Sequence, residues 1–307
     1  MSDFAPPPGA GYPTLDFTSR RVAVDQGAEV FVLRVAPASR PRGGCPVILY
    51  EPGAFGIYAD GYWIAVELAR LGYETVLYSR LGAYPSDPLP QDVTPSPLTH
   101  AMWMEQLLDA LEVPAVSGLI AHSMGGLRAH ALAARAPNRV RSVLLLDAVM
   151  PVQLEWGVRR SFAQLGIVMT NPCRSAARTW MGRMALSAYP NSIGLPGQPR
   201  ADKKAALLDE RHLSTFGVEM AGVTAPALSD LLPPITHCPL SGVEATPVAK
   251  GTAQTLKRAA DAGQWTHYER WRGVGHVRLL NPKFAPRVAA LADKTARAAG
   301  VEAPEIA

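Results

Sequence analysis

Cysteine is scarce in this chain: three residues in 307, Cys45, Cys173 and Cys238, widely spaced and odd in number. No two of them form a CxxC pair, which excludes a disulfide scaffold and a cysteine-ligated zinc or redox motif. The expectation is three buried free thiols in a reducing compartment. Also missing is any run of 18 apolar residues, so no helical membrane span is expected. Residues 1–13 are rich in proline and glycine, with neither a basic leading stretch nor an apolar run. They do not read as a secretory signal, and a cytoplasmic protein is expected. Basic residues exceed acidic ones only as 30 to 26. They are scattered, as at Arg20 and Arg21, Arg159 and Arg160, and Lys203 and Lys204, without interleaved aromatics. That pattern reads as a solvated basic surface and argues against nucleic acid as a partner. No internal repeat is present.

Apolar material is ample, with 48% hydrophobic against 18% charged residues. That suffices for one large α/β domain with an insertion, or for two domains. Residues 1–17 read as a flexible or loosely docked arm. Residues 21–25 and 28–36 have the pattern of a hairpin. Short runs at 46–50, 74–78, 115–121 and 140–146 read as strands, and 62–71, 97–111 and 127–136 carry helical spacing. The alternation predicts parallel βαβ units with helices on both faces of a sheet. Over 150–232 the rhythm changes to mixed stretches with Trp156, Trp180 and many Met and Arg, which predicts a mainly helical insertion, a cap. A strand at 235–240, a helix at 246–262, a strand at 265–271 and a helix at 282–299 complete the core, which comprises 18–149 and 233–307.

The most informative stretch is Ala121, His122, Ser123, Met124, Gly125 and Gly126. A strand runs into a serine and a helix follows. This is the sequence form of a nucleophile elbow, with the hydroxyl at the apex of a sharp turn. The usual pattern is G-x-S-x-G, and Ala121 stands at its first glycine. A serine hydroxyl is a poor nucleophile at neutral pH and needs a base plus a group that orients the base. His276 is the candidate base; Gly273 and Gly275 are expected to let its loop approach closely. His122 is expected to point away from the serine and to pack. Two carboxylates at strand ends can supply the acid: Asp147 is favoured and Glu244 is the alternative. An oxyanion needs backbone N–H donors. The candidates are the amide of Met124 and that of Ala54, with Phe55 next, in the loop from Gly53 to Gly56.

In this order the parts resemble the α/β-hydrolase superfamily over about residues 20–295. The resemblance rests on Tyr50-Glu51-Pro52-Gly53-Ala54-Phe55-Gly56, Tyr78-Ser79-Arg80-Leu81-Gly82, the Ser123 elbow, Leu146-Asp147-Ala148 and Gly273-Val274-Gly275-His276. It implies a triad in the chain order Ser, acid, His, and a cap inserted at 150–232. There are departures. Pro52-Gly53 replaces the family's frequent His-Gly, and Ser79 replaces its frequent Asp before Arg80. Glu244 lies near the family's usual acid position, whereas some members place the acid where Asp147 stands. Serine separates the chain from relatives that use an aspartate nucleophile. What the resemblance implies is acyl chemistry without cofactor or metal, as in hydrolysis of an ester or related acyl bond; the apolar residues of the cap point to a small, largely hydrophobic substrate. Carbon–carbon bond or amide hydrolysis on the same triad is the alternative, and a non-catalytic binding protein of the same fold is a third reading. Phe55, Trp156, Trp180 and Met181 are candidates for the pocket wall, against the competing reading that they pack the cap onto the core. The expected partner is a small-molecule substrate; the oligomeric state is left open.

Overall fold

The computed structural model describes residues 4–6, 14–39, 44–153, 170–223 and 233–304. Two long strands, β1 (Leu15–Val24) and β2 (Ala28–Pro37), form an antiparallel hairpin. Leu15 to Phe17, assigned from sequence to the arm, thus belong to the sheet. Next come β3 (Val47–Glu51), β4 (Glu74–Tyr78), β5 (Gly118–His122), β6 (Val143–Leu146), β7 (Leu240–Glu244) and β8 (Thr266–Arg270). The eight strands make one sheet in the order β1-β2-β4-β3-β5-β6-β7-β8. The hairpin joins β4 antiparallel, and every pairing from β4 to β8 is parallel.

Parallel strands covered on both faces read as continuous apolar runs, and β6 is Val-Leu-Leu-Leu. Alternate side chains enter opposite cores. Ile48, Tyr50, Ile120, Leu144 and Leu146 pack with helices α1 (Tyr62–Arg70) and α8 (Ala285–Ala298). Leu49, Leu119, Ala121, Val143 and Leu145 pack with α2 (Pro97–Ala110), α3 (Gly125–Arg135) and α7 (Thr252–Asp261). Among the described residues between β6 and β7 lie the helices α4 (Trp180–Ser192), α5 (Gly197–Leu208) and α6 (Glu210–Val223), beside shorter helical pieces. No described helix is long and apolar enough to cross a membrane.

Two boundaries differ most from the sequence reading. The strand expected at 235–240 begins only at Leu240. Pro234 and Pro239 cannot donate to a ladder, whereas the observed strand hides behind small residues. Ser241 Oγ lies 2.6 Å from Thr295 Oγ1, and a Cβ on Gly242 would sit 2.3 Å from Thr252 Cγ2. The helix expected from 246 starts at Thr252, which frees Thr246 for a contact described below. None of the three cysteines is disulfide-bonded. Only Cys238 is fully buried, and burial pushes its thiol up to about 12; Cys45 and Cys173 are half-buried, against the expectation.

Register sets the level at which chain segments leave the sheet. Glu51 lies beside Ala121, His122 beside Leu146, and Leu146 beside Val243. The segments after β3, β5, β6 and β7 therefore emerge together at the carboxyl edge, where open α/β sheets place their ligands.

Candidate active site

Ser123 occupies the turn between β5 and α3 with φ +54, a conformation that costs a non-glycine residue energy and needs outside support. Its amide donates to Leu146 O at 3.1 Å, and its carbonyl accepts from Val149 N at 2.8 Å and Gly126 N at 3.0 Å. A Cβ on Gly125 would sit 2.6 Å from Glu51 O, so this glycine is required by close approach. Ala121 is an ordinary buried strand residue whose methyl joins the core, so the first position of the motif tolerates a Cβ.

His276 Nε2 lies 2.8 Å from Ser123 Oγ, and its Nδ1 lies 2.6 Å from Asp147 Oδ2. A carboxylate only accepts, so the ring proton sits on Nδ1 and Nε2 is left to accept from the serine hydroxyl. Asp147 Oδ1 accepts from the amides of Ala245 (2.8 Å) and Thr246 (2.9 Å), and Oδ2 from Thr246 Oγ1 (2.6 Å). Burial acts to raise the Asp147 pKa; the bonds from His276, Thr246 and Ala245 outweigh it and hold the carboxyl below its ordinary value. Glu244 is turned elsewhere. It accepts from Tyr268 Oη at 2.7 Å and pairs with Arg270 at 3.1 Å.

The histidine loop differs from expectation in one respect. A Cβ at Gly273 would meet nothing within 4 Å, and at Gly275 only Arg278 at 3.8 Å. Close approach is therefore not their role; Gly273 supplies a left-handed turn at φ +74. His122 packs against the histidine loop. Its ring packs 4.6 Å from that of His276, and its Nε2 lies 3.1 Å from the His276 carbonyl. Burial first, then the neighbouring His276, pushes its pKa to about 3, so a neutral ring donates to that carbonyl and braces the loop.

Facing Ser123 across β3 and β5 is the loop from Pro52 to Gly56. A Cβ on Gly53 would sit 2.8 Å from Ser123 Cβ. Among the described residues no hydrogen-bond partner takes the amides of Met124 or Ala54, and α3 has no side-chain cap. Three of the loop's carbonyls, by contrast, are engaged, that of Gly53 also by the Gly56 amide at 3.1 Å. Pro52 O accepts from Arg128 (2.7 Å) and Arg80 (3.2 Å), and Gly53 O from Arg80 (3.2 Å). Phe55, at φ +53, has its carbonyl 2.9 Å from Lys203 Nζ and 3.3 Å from His212 Nε2.

A cavity of about 670 Å³ opens onto Ser123, His276, Ala54 and Met124. Its wall is largely apolar, with Phe55, Leu186, Leu207, Leu213, Phe216 and Met220. Phe55 and Phe216 pack at 4.1 Å between ring centroids. Trp180 and Met181, candidates for this wall, instead face solvent at 74% and 60% exposure. They occupy the opposite side of α4 from Leu186 and Tyr189, which do line the cavity. Trp156 lies outside the described residues. Among the described residues no cluster of His, Cys, Asp and Glu has the makings of a metal site.

Residues 46–165 match the family described as the alpha/beta hydrolase fold. A putative acyltransferase from Salmonella enterica superposes with TM-score 0.69 at 15% identity, over 94% of this chain and 98% of that one. The chain is an α/β-hydrolase-fold protein. Two more solved proteins of similar shape are a proline iminopeptidase from Mycobacterium smegmatis (TM-score 0.63, 18% identity, 92% of this chain and 100% of that one) and an enol-lactonase from Burkholderia xenovorans LB400 (TM-score 0.62, 18% identity, 92% and 100%). At such identities the likeness is one of fold. No curated protein matches this α/β-hydrolase-fold chain in sequence.

Several residues around the site escaped the sequence reading. Lys203, which beside Lys204 has the look of surface charge in the sequence, is 1% exposed. Glu219 and Arg128 are buried too; their signal is a lone charge inside an apolar helical stretch. Thr246 gave no signal at all.

Proposed function

We propose that the protein is a serine hydrolase that cleaves an ester or related acyl bond of a small, largely hydrophobic substrate. The observation that carries this reading is the continuous chain from Ser123 Oγ through His276 to Asp147, at 2.8 and 2.6 Å, beside the amides of Met124 and Ala54, which no described residue engages. In this reading His276 Nε2 takes the hydroxyl proton as Ser123 attacks the carbonyl carbon. The Met124 and Ala54 amides hold the oxyanion. The tetrahedral species collapses as His276 returns the proton to the leaving alcohol, and Asp147 stabilises the transient imidazolium. Water, deprotonated by His276, then attacks the acyl-enzyme and releases the acid. Helices α4 to α6 act as a cap whose apolar inner wall takes the acyl or alkoxy group.

The test is a panel of substrates with one shared apolar group: an aryl ester, an anilide and a vinylogous diketone. The ester should turn over fastest, and Ser123→Ala should abolish the turnover. Faster cleavage of the anilide or the diketone would move the reading to amide or carbon–carbon hydrolysis. Turnover of none by wild-type protein would remove it.

A further inference from the structure

Helices α5 and α6 carry buried polar side chains that the triad does not use: Lys203, His212 and Glu219, each at most 4% exposed. Burying charge costs solvation, and a buried ion pair gives little net stability over apolar packing. Directly for Lys203 and His212, and through Arg80 for Glu219, their contacts lead to the loop carbonyls opposite Ser123. Lys203 Nζ donates to Phe55 O at 2.9 Å and to Asp60 Oδ2 at 2.8 Å. The same Asp60 oxygen accepts from Ile57 N at 2.9 Å, just beyond the loop. His212 Nδ1 accepts from the amide of Tyr84 at 3.3 Å, which leaves Nε2–H to donate to Phe55 O. Its pKa, pushed to about 3 by burial and then by Lys203 and Arg80, agrees with that neutral tautomer.

Glu219 acts through Arg80. Its carboxylate takes Arg80 Nε at 2.8 Å and Nη2 at 3.3 Å, a forked pairing that fixes the guanidinium plane. Arg80 in turn donates to the carbonyls of Pro52 and Gly53, both at 3.2 Å. A trans peptide is planar, with N–H opposite to C=O. Holding the Gly53 carbonyl toward Arg80 therefore turns the Ala54 N–H the other way, away from Arg80.

We propose that the inserted helices set the oxyanion hole: Lys203 and His212 hold the Phe55 carbonyl, Glu219 holds Arg80 against the Gly53 carbonyl, and these are positioning residues for the Ala54 amide. The inference rests on the serine-hydrolase reading and adds a role for the cap beyond enclosing substrate. A donor that is misaligned rather than removed costs less than the hundredfold to thousandfold loss of a deleted one.

The test uses Glu219→Gln, Lys203→Met, and Lys203→Met combined with Asp60→Asn, which leaves no unpaired buried charge. Melting temperature establishes which variants fold. Folded variants should lose about tenfold to a hundredfold in kcat on an aryl ester, with KM within about threefold and the shape of the pH–rate profile unchanged. An arylboronic acid, which forms a tetrahedral adduct on serine, should bind more weakly by the same factor. A role in packing alone would not lower boronate affinity while sparing KM. Folded variants that keep kcat within threefold of wild type, or keep boronate affinity, overturn the inference. A wild-type protein that hydrolyses no ester overturns the function reading and this inference together. An active wild type with unaffected variants overturns the inference alone.

Discussion

Asp147→Asn separates the electrostatics of the triad from its shape. In the asparagine variant Oδ1 still accepts from the amides of Ala245 and Thr246, now at 2.8 and 2.9 Å, so the loop keeps its anchor. The other atom becomes an NH2 group 2.6 Å from His276 Nδ1. It donates, so Nδ1 must accept and the ring proton moves to Nε2. Nε2–H then faces Ser123 Oγ at 2.8 Å and cannot take its proton. The imidazolium formed during attack also loses its negative partner. Wrong tautomer and lost charge together cost roughly 10⁴-fold in kcat, about 5.4 kcal/mol of barrier. Steady-state kinetics on an aryl ester, with melting temperature as a control, measures this. Glu244→Gln, whose contacts are Tyr268 and Arg270, should change kcat by less than about threefold. A loss below tenfold for Asp147→Asn, or an equal loss for Glu244→Gln, would refute the assignment of the acid.

Gly53→Ala should lower kcat by about a hundredfold with the fold retained by circular dichroism. Its Cβ would come within 2.8 Å of Ser123 Cβ and displace the nucleophile or its loop, and an ångström of misplacement costs about that factor. Glu219 has its pKa held down to about 2 from an ordinary 4.5: burial opposes this, and the charges of Arg80 and Arg128 outweigh burial. A depressed folded pKa gives stability that is complete above pH 4.5 and is lost as pH falls toward 2, on the order of 3 kcal/mol. Urea midpoints of Glu219→Gln should therefore decline less over that interval than those of wild type; parallel declines would contradict it. Replacing Trp180 and Met181 by serine should leave KM within about twofold and stability within about 0.5 kcal/mol, since both side chains face solvent. A tenfold rise in KM would return them to the pocket wall.

Much of this architecture was legible because period and polarity agreed. The runs at 46–50 and 74–78 and the leucines of β6 could only be buried strands, and the elbow glycines record contacts that no side chain would survive. Other features left no local trace. The strand at β7 is built from Ser241 and Gly242, small because a helix and a hydroxyl press against them. Lys203 resembles any surface lysine until α5 carries it against Asp60 and the Phe55 carbonyl. That Asp147 lies against His276 is tied to Thr246, whose hydroxyl and amide turn toward Asp147 only after the chain bends ahead of α7. Such pairings join residues far apart in sequence, so periodicity carries no record of them.

In the proposed mechanism Ser123 is the activated nucleophile. Intact-mass measurement after treatment with a fluorophosphonate tests it most directly. One adduct per chain is expected, mapped to Ser123, with ester turnover lost in proportion, and no adduct on Ser123→Ala. An unlabelled wild-type protein, or a Ser123→Ala variant that is still labelled and still hydrolyses ester, would contradict it.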